Sequence, residues 1–125
     1  LVGYIESYEE EAQEWVKTIN AKYGFGLEYS ERRLWQGDDI KSVPIKEKLT
    51  LELPRGVSYL GRDGRSFSSF AGKVKTLVIP AMSHGYRGKI AENAFSGIGL
   101  ESVLFKGELD YIGDHAFSGN RLTEL

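Results

Sequence analysis

The chain has 125 residues and a formal net charge of −2, and its hydrophobic share of 41% is typical of a folded globular protein. It contains no cysteine, which excludes disulfides, thiolate zinc sites and cysteine nucleophiles. No run approaches the ~18 apolar residues of a membrane span, and the slightly negative charge argues against a dedicated nucleic-acid binder. The chain begins Leu1-Val2-Gly3 without Met or a signal sequence, so we expect any targeting peptide to lie outside it.

The first predicted element is a helix over roughly residues 8–23. Ser7 and Glu10 form a capping-box pattern at its start, and Gly24 supplies its exit. Between them, apolar residues recur three or four positions apart and form one stripe, as expected for a helix with one buried face. The stripe consists of Tyr8, Ala12, Trp15, Val16, Ile19 and Tyr23.

Two short extended pieces are predicted after the helix. They comprise residues 25–29 and 33–35, and a turn at Gly37-Asp38-Asp39 follows them.

A repeated segment dominates the rest of the chain. The sequence IAENAFSG at residues 90–97 returns as IGDHAFSG at residues 112–119, an interval of 22 residues. Apolar pieces precede the two copies at residues 74–80 and 100–106, and a more divergent unit opens at residues 48–54. In each piece apolar residues alternate with others, which predicts a strand with one buried face.

Units this short leave no room for a hairpin, so their strands are predicted to pair in parallel with those of the next unit. The Ala-Phe-Ser-Gly pieces fit a single helical turn that ends at glycine. Phe95 and Phe117 are predicted to fill equivalent buried sites one unit apart, and Phe70 is aligned with them in the divergent unit.

This pattern resembles the BspA-type leucine-rich repeats of bacterial surface proteins. The resemblance is carried by residues 90–97, residues 112–119 and the strand pieces ahead of them, over roughly residues 48–125. It implies an α/β fold, a right-handed leucine-rich-repeat solenoid of parallel strands and short helical turns, with about three repeats and a truncated fourth. It also implies an exported, extracellular or cell-surface protein with a binding or adhesive role; it does not imply an active site. The absence of the strand-terminal Asn of many leucine-rich repeats fits this type.

The solenoid leads to an expectation for each end of the chain. Residues 1–47 are predicted to form an N-terminal helical cap that shields the first repeat, with a separate binding module as the alternative. At the other end, Leu122 and Leu125 open a coil that is not completed. We therefore expect a protein that is monomeric natively, with end-to-end contacts between copies of this chain at high concentration.

No catalytic constellation, metal site or cofactor is predicted. The segment 56–61 has the glycine spacing of a phosphate loop but lacks its Lys and Ser/Thr. Asp38 and Asp39 lack the spaced oxygens of a calcium loop, so a solvated turn is favoured. His84 and His115 are 31 residues apart, and neither has a partner four residues on for zinc.

Two sets of residues are candidates for ligand binding. The first is basic and lies near the insertions between units: Arg62, Arg65, Arg87 and Lys89. Together they would attract an anionic polymer or an acidic protein, although scattered, solvated loop charges are the simpler interpretation.

The second set lies on the strands, pointing away from the predicted core: Thr76, Val78, Ser102 and Leu104. Val78 and Leu104 occupy equivalent positions in adjacent units and should touch. They are the centre of a protein-binding face or a simple consequence of strand propensity.

These observations, together with what the resemblance implies, predict a non-enzymatic binding or adhesion module of a bacterial surface protein. Its expected partner is a protein or an anionic glycan, with neither nucleic-acid binding nor membrane insertion. The alternatives are a structural stalk or assembly element, and an accessory domain of a larger enzyme.

Overall fold

The computed structural model describes residues 8–80, 88–107 and 109–122. It is a mixed α/β structure, and one α-helix, α1 (Glu9–Tyr23), lies in this part of the chain. The strands are β1 (Leu27–Ser30), β2 (Arg33–Gln36), β3 (Leu49–Glu52), β4 (Tyr59–Leu60), β5 (Val74–Ile79), β6 (Gly88–Ile90), β7 (Ser102–Phe105) and β8 (Leu109–Ile112). A short 3-10 turn, Ser68–Phe70, precedes β5.

The strands form two sheets. One has three parallel strands in the order β3-β5-β7, which confirms the predicted parallel pairing of consecutive units. The other has five strands in the order β1-β2-β4-β6-β8, all parallel from β2 onwards. From β3 onwards the chain alternates between the sheets, so each unit contributes a strand to both. The sequence pattern predicts only the first strand of each unit.

The helix lies where its apolar stripe predicts. It ends at Gly24, which has a φ of 70° and whose N–H donates to the carbonyl of Asn20. At its start the N-cap position is held by Tyr8, and no side chain caps it; Ser7, the predicted cap, lies outside the described residues. Ala12 and Val16 are buried, because this face packs against β1 and the core.

The two predicted extended pieces form an antiparallel hairpin, β1-β2. The two turn residues, Glu31 and Arg32, both have positive φ, as a two-residue turn between twisted strands requires. The Tyr29 hydroxyl ties the hairpin to the loop after β3 by donating to the carbonyl of Gly56 at 2.6 Å. Burial, reinforced by the negative charge of Glu9, raises the pKa of Tyr29 to about 12.

Stacked phenylalanine rings run through the core. Phe67 stacks on Phe95 with ring centroids 5.0 Å apart, and Phe95 stacks on Phe117 at 5.4 Å. The backbone N–H of Phe67 donates to Ala94, just as that of Phe95 donates to Ala116. Phe67 is therefore the equivalent of Phe95, and the predicted alignment with Phe70 is wrong.

Phe70 has a different place in the same core. Its ring contacts Phe67 at 5.1 Å and Phe25 at 4.9 Å, so it joins the stack to the segment that follows α1. The divergent unit has a longer turn. Because of its extra residues, the ring equivalent to Phe95 stands at position 67 and not at position 70. Phe95 is fully buried as predicted, whereas Phe117 is only partly buried.

Asn120 ties the last described turn to the one before it. Its side-chain NH2 donates to the carbonyls of Phe95 at 2.7 Å and Phe117 at 2.9 Å. Its Oδ1 accepts from the N–H groups of Ile98 at 3.1 Å and Leu100 at 3.0 Å. The chain thus has an asparagine that bonds turn backbone, located after the Phe-Ser-Gly piece rather than at a strand end.

Gly61 is required by both conformation and space. Its φ is +95°, and a Cβ there would lie 3.0 Å from the Cβ atoms of Ala91 and Ala94. Gly61 belongs to the phosphate-loop-like segment 56–61, and it is needed there because it allows one unit to pack closely on the next. Gly64, three residues later, also has a positive φ, but a Cβ there would meet nothing within 4 Å.

Candidate functional site

The strand residues predicted to bind a ligand lie on the three-stranded sheet in the expected register. Thr76 pairs with Ser102, and Val78 pairs with Leu104. The hydroxyl oxygens of Thr76 and Ser102 are 2.9 Å apart and hydrogen-bonded to each other. This bond occupies hydroxyl groups that a ligand would need for its own hydrogen bonds. Leu104 is 51% exposed.

The predicted exposure of Val78 is wrong, because this side chain is only 6% exposed. Val78 lies on the middle strand, in register with Glu52 on one side and Leu104 on the other. Lys106 Nζ and Glu52 Oε2 form an ion pair at 3.1 Å that spans this middle strand. A single exposed leucine remains, and single exposed apolar residues are ordinary at protein surfaces.

The predicted basic residues do not form one free patch. Arg62 and Arg65 share a tight loop, but Arg65 extends to Asp38, with 2.6 Å between Nη2 and Oδ1. This hydrogen bond raises the pKa of Arg65 above its usual range. Lys89 is exposed on β6, and Arg87 lies outside the described residues.

The structure places Lys89 in a row that the sequence analysis did not predict. Across the five-stranded sheet, Arg33 on β2 pairs with Tyr59 on β4, Tyr59 with Lys89 on β6, and Lys89 with Tyr111 on β8. Residues paired in register share one face of a sheet. We call these four residues the cation–aromatic row.

The row faces away from the core. The residues that follow the first three members, Leu34, Leu60 and Ile90, are fully buried. Because successive side chains of a strand point to opposite faces, the row members point outwards. Lys89 and Tyr111 are exposed, and Tyr59 and Arg33 are half-buried against each other.

Two arginines are held over aromatic rings at the β2 end of the row. Arg33 Cζ lies 3.9 Å from the centroid of the Tyr59 ring, and Arg33 Nε donates to the carbonyl of Gly61 at 2.8 Å. On the same face, Arg62 Cζ lies 4.7 Å from the centroid of the Trp35 ring. Both contacts are of the cation–π type, which orders the guanidinium groups at the surface.

These groups line a shallow cleft of about 480 Å³. It is also lined by the hydroxyls of Ser30 and Ser58 and the carboxylate of Glu31, and Arg62 Nε lies 3.6 Å from Asp63 Oδ2. The cleft therefore combines flat aromatic surface, positive charge and hydroxyl hydrogen-bonding groups. This combination suits recognition of a polar, anionic ligand better than of an apolar one.

The sequence carried a signal for part of this row. Tyr59, Lys89 and Tyr111 each stand immediately before an aliphatic residue of the repeat, buried in the first two cases and 48% exposed at Ile112, so they form one repeat position. Arg33 and Trp35 carried no such signal, because they belong to the hairpin rather than to a repeat. Only the pairing of β2 with β4 adds them to this face.

A second cleft, of about 550 Å³, lies beside the carboxyl ends of β3 and β5. Its charged groups face one another: Arg55 lies 2.8 Å from a carboxylate oxygen of Glu11, and Lys106 pairs with Glu52. The hydrogen bond with Glu11 raises the pKa of Arg55. This cleft has less unpaired charge to offer a ligand than the cation–aromatic row.

The residues considered for other chemistry have structural partners. Asp38 pairs with Arg65, and Asp39 with Lys41. Within residues 8–80, 88–107 and 109–122, no three His, Cys, Asp or Glu side chains gather closely enough to hold a metal ion. Over the same ranges, no helix is both long and apolar enough to cross a membrane.

Comparison with known proteins identifies no relative: no protein-family model, curated protein or solved structure matches this chain.

Proposed function

We propose that this chain is a non-enzymatic binding module of an exported bacterial surface protein, and that its ligand surface is the outer face of the five-stranded sheet. The observation that carries the proposal is the cation–aromatic row: Arg33, Tyr59, Lys89 and Tyr111 stand side by side on four adjacent strands, facing outwards. Side chains on strands keep fixed spacings, so binding a ligand there costs little ordering of the protein.

The proposal includes a right-handed leucine-rich-repeat solenoid. Its support is the stacking of Phe67, Phe95 and Phe117, with each unit hydrogen-bonded to the next. Right-handedness is the expected hand for a strand that crosses over to a parallel neighbour. In such an array the core positions are constrained by stacking, whereas outward positions are free to carry a binding surface.

In this proposal residues 1–47 are the N-terminal cap. The support is that the hairpin β1-β2 continues the five-stranded sheet beyond the first repeat strand, β4, while α1 packs on β1. The cap then contributes to function as well, because Arg33 and Trp35 extend the ligand surface onto the hairpin.

The experiment is a binding screen with variants of the two outer faces. The immobilised chain is tested against extracellular-matrix proteins and polysaccharides, and each hit is measured again with Lys89→Glu, Tyr111→Ala and Leu104→Ala. Lys75→Glu is the matched charge control, because Lys75 is an exposed lysine on the three-stranded sheet.

We expect Lys89→Glu and Tyr111→Ala to weaken binding of a true ligand at least tenfold, and Leu104→Ala and Lys75→Glu to leave it unchanged. Circular dichroism checks that each variant is folded. Loss of binding in Leu104→Ala alone would move the ligand surface to the three-stranded sheet and contradict the proposal. A panel with no hit sensitive to Lys89 or Tyr111 would also contradict it.

A further inference from the structure

We infer that the cation–aromatic row binds a linear acidic polysaccharide in which acidic and neutral sugars alternate, with the polysaccharide chain crossing the strands. This inference rests on the proposed binding function and adds the chemical class, direction and register of the ligand.

The row and an acidic polysaccharide have complementary chemical groups. A sugar ring has a polar rim of hydroxyls and a flat face of C–H groups that packs on aromatic rings, and a uronic acid adds a carboxylate. The row offers both partners: the exposed ring of Tyr111, the half-buried ring of Tyr59, over which Arg33 lies, and the cations of Arg33 and Lys89. Arginine suits this role because its guanidinium donates two parallel hydrogen bonds to a carboxylate.

The spacing of the row also matches such a ligand. Neighbouring strands lie about 4.8 Å apart, so groups on every second strand are separated by about 10 Å. The order along the row is Arg33, Tyr59, Lys89, Tyr111, so the two cations and the two rings each repeat with this period. That length is comparable with a disaccharide unit of an extended polysaccharide. Each period of about 10 Å along the row holds one cation and one aromatic ring, which match one acidic and one neutral sugar of a disaccharide unit.

The β2 end of the row is preorganised for binding. Arg33 is fixed between the Tyr59 ring and the carbonyl of Gly61 before any ligand binds. Trp35 and Arg62 form a second ring–cation pair beside it, on the same face. A sugar at the β2 end of the row therefore meets ordered groups, which reduces the entropy cost of binding.

The observations favour a polysaccharide over single-stranded nucleic acid, which also binds to cations and aromatic rings. A nucleic acid carries one phosphate per nucleotide and needs a continuous positive groove. Here cations occupy only alternate positions of the row, and the Glu31 carboxylate lines the same cleft as Arg33. Alternating charge suits a ligand with half as many anionic groups.

The test measures the affinity of the chain for four probes by titration calorimetry at low and moderate salt. A hyaluronan decasaccharide carries the alternating pattern, and a chitin octasaccharide has extended rings without charge. Poly-glutamate carries carboxylates without rings, and an oligo-dT of similar length carries phosphates and bases. We expect hyaluronan to bind at least tenfold more tightly than each of the other three.

Two variants address the two halves of the site. Tyr111→Leu removes an exposed ring with little effect on folding, and Lys89→Glu reverses the central charge. We expect each to weaken hyaluronan binding about tenfold, while Lys75→Glu has no effect. Binding should weaken only moderately with salt, because two cations in the row are involved.

Equal or tighter binding of poly-glutamate or oligo-dT would overturn the inference, as would hyaluronan binding that Tyr111→Leu leaves unchanged. Absence of hyaluronan binding would overturn it too. In that case a protein ligand from the screen that is still lost in Lys89→Glu would preserve the proposed function. If neither kind of ligand depends on this face, both proposals fail.

Discussion

Replacing Phe95 by alanine tests the central packing feature of this fold. The Phe95 ring is fully buried and has another phenylalanine stacked on each side, Phe67 at 5.0 Å and Phe117 at 5.4 Å. Truncating a buried phenylalanine to alanine costs about 3–5 kcal/mol, and the cost is greatest where neighbours cannot close the cavity. Since backbone bonds between units hold Phe67 and the residues on either side of Phe117, we expect about 4 kcal/mol.

Two further variants separate cavity formation from ring stacking. Phe95→Leu keeps most of the volume but loses both aromatic contacts, and we expect a cost of about 2 kcal/mol, because each ring pair contributes about 0.5–1.5 kcal/mol. Phe117→Ala removes a ring that is only partly buried, so we expect about 2 kcal/mol as well. Ile40→Ala is the control, because this side chain is 47% exposed, and its cost should stay below about 0.5 kcal/mol.

The assay is urea unfolding followed by circular dichroism and tryptophan fluorescence, with coincident transitions as the check for two-state behaviour. Total stabilities of about 5–15 kcal/mol leave the Phe95→Ala variant measurable in most cases. A cost for Phe95→Ala no larger than that for Phe117→Ala would refute the reasoning, because it would mean that burial and two-sided stacking add nothing. In a double-mutant cycle, Phe95→Leu should couple with Phe117→Leu, whose ring stacks on it, more strongly than with Phe25→Leu, whose ring packs on Phe70.

Three other predictions concern single contacts, each measured by urea unfolding. Asn120→Ala should cost about 2–3 kcal/mol, because it leaves part-buried backbone groups of two turns unpaired; a cost below about 0.5 kcal/mol would show that water replaces these bonds. Gly61→Ala should cost at least about 1 kcal/mol more than Gly64→Ala, because both positions have positive φ but only the first lacks space for a Cβ; equal costs would contradict the steric argument. Finally, the pKa of Tyr29 is raised to about 12 from its ordinary 10.0, so the folded protein holds this proton more tightly than the unfolded chain. Its contribution to stability is complete below pH 10 and is lost as the pH rises towards 12; Tyr29→Phe should reduce the loss of stability over this window, and an unchanged pH profile would contradict the assignment.

Much of the fold could be predicted from local pattern. The 3.6-residue period of apolar side chains predicts α1, and the structure places the helix at Glu9–Tyr23. Alternation at residues 48–54, 74–80 and 100–106 predicts three strands, and the unit length requires them to pair in parallel, as β3, β5 and β7 do. These features depend on the preferences of residues close together in the chain, so the sequence alone is sufficient to predict them.

The ring alignment and the exposure of Val78 could not be predicted in this way. The choice between Phe67 and Phe70 depends on how a longer turn is accommodated against the next unit. The alternation along β5 predicts an outward position for Val78. An ion pair between Glu52 and Lys106 spans this strand, however, and the Val78 side chain is buried. The position of the repeated ring and the burial of Val78 both depend on contacts between residues more than 20 positions apart.

The candidate site shows the same division. Its repeat members, Tyr59, Lys89 and Tyr111, share one position of a pattern that the sequence displays. These three residues share a face with Arg33 and Trp35 only because β2 pairs with β4. The burial of Leu34 against Leu60 sets the register of that pairing. The sequence by itself determines which side chains point out of each strand, since alternation is local. Only the tertiary structure decides which of them stand side by side, because hydrogen bonds and core packing between distant segments select the neighbouring strand and its register.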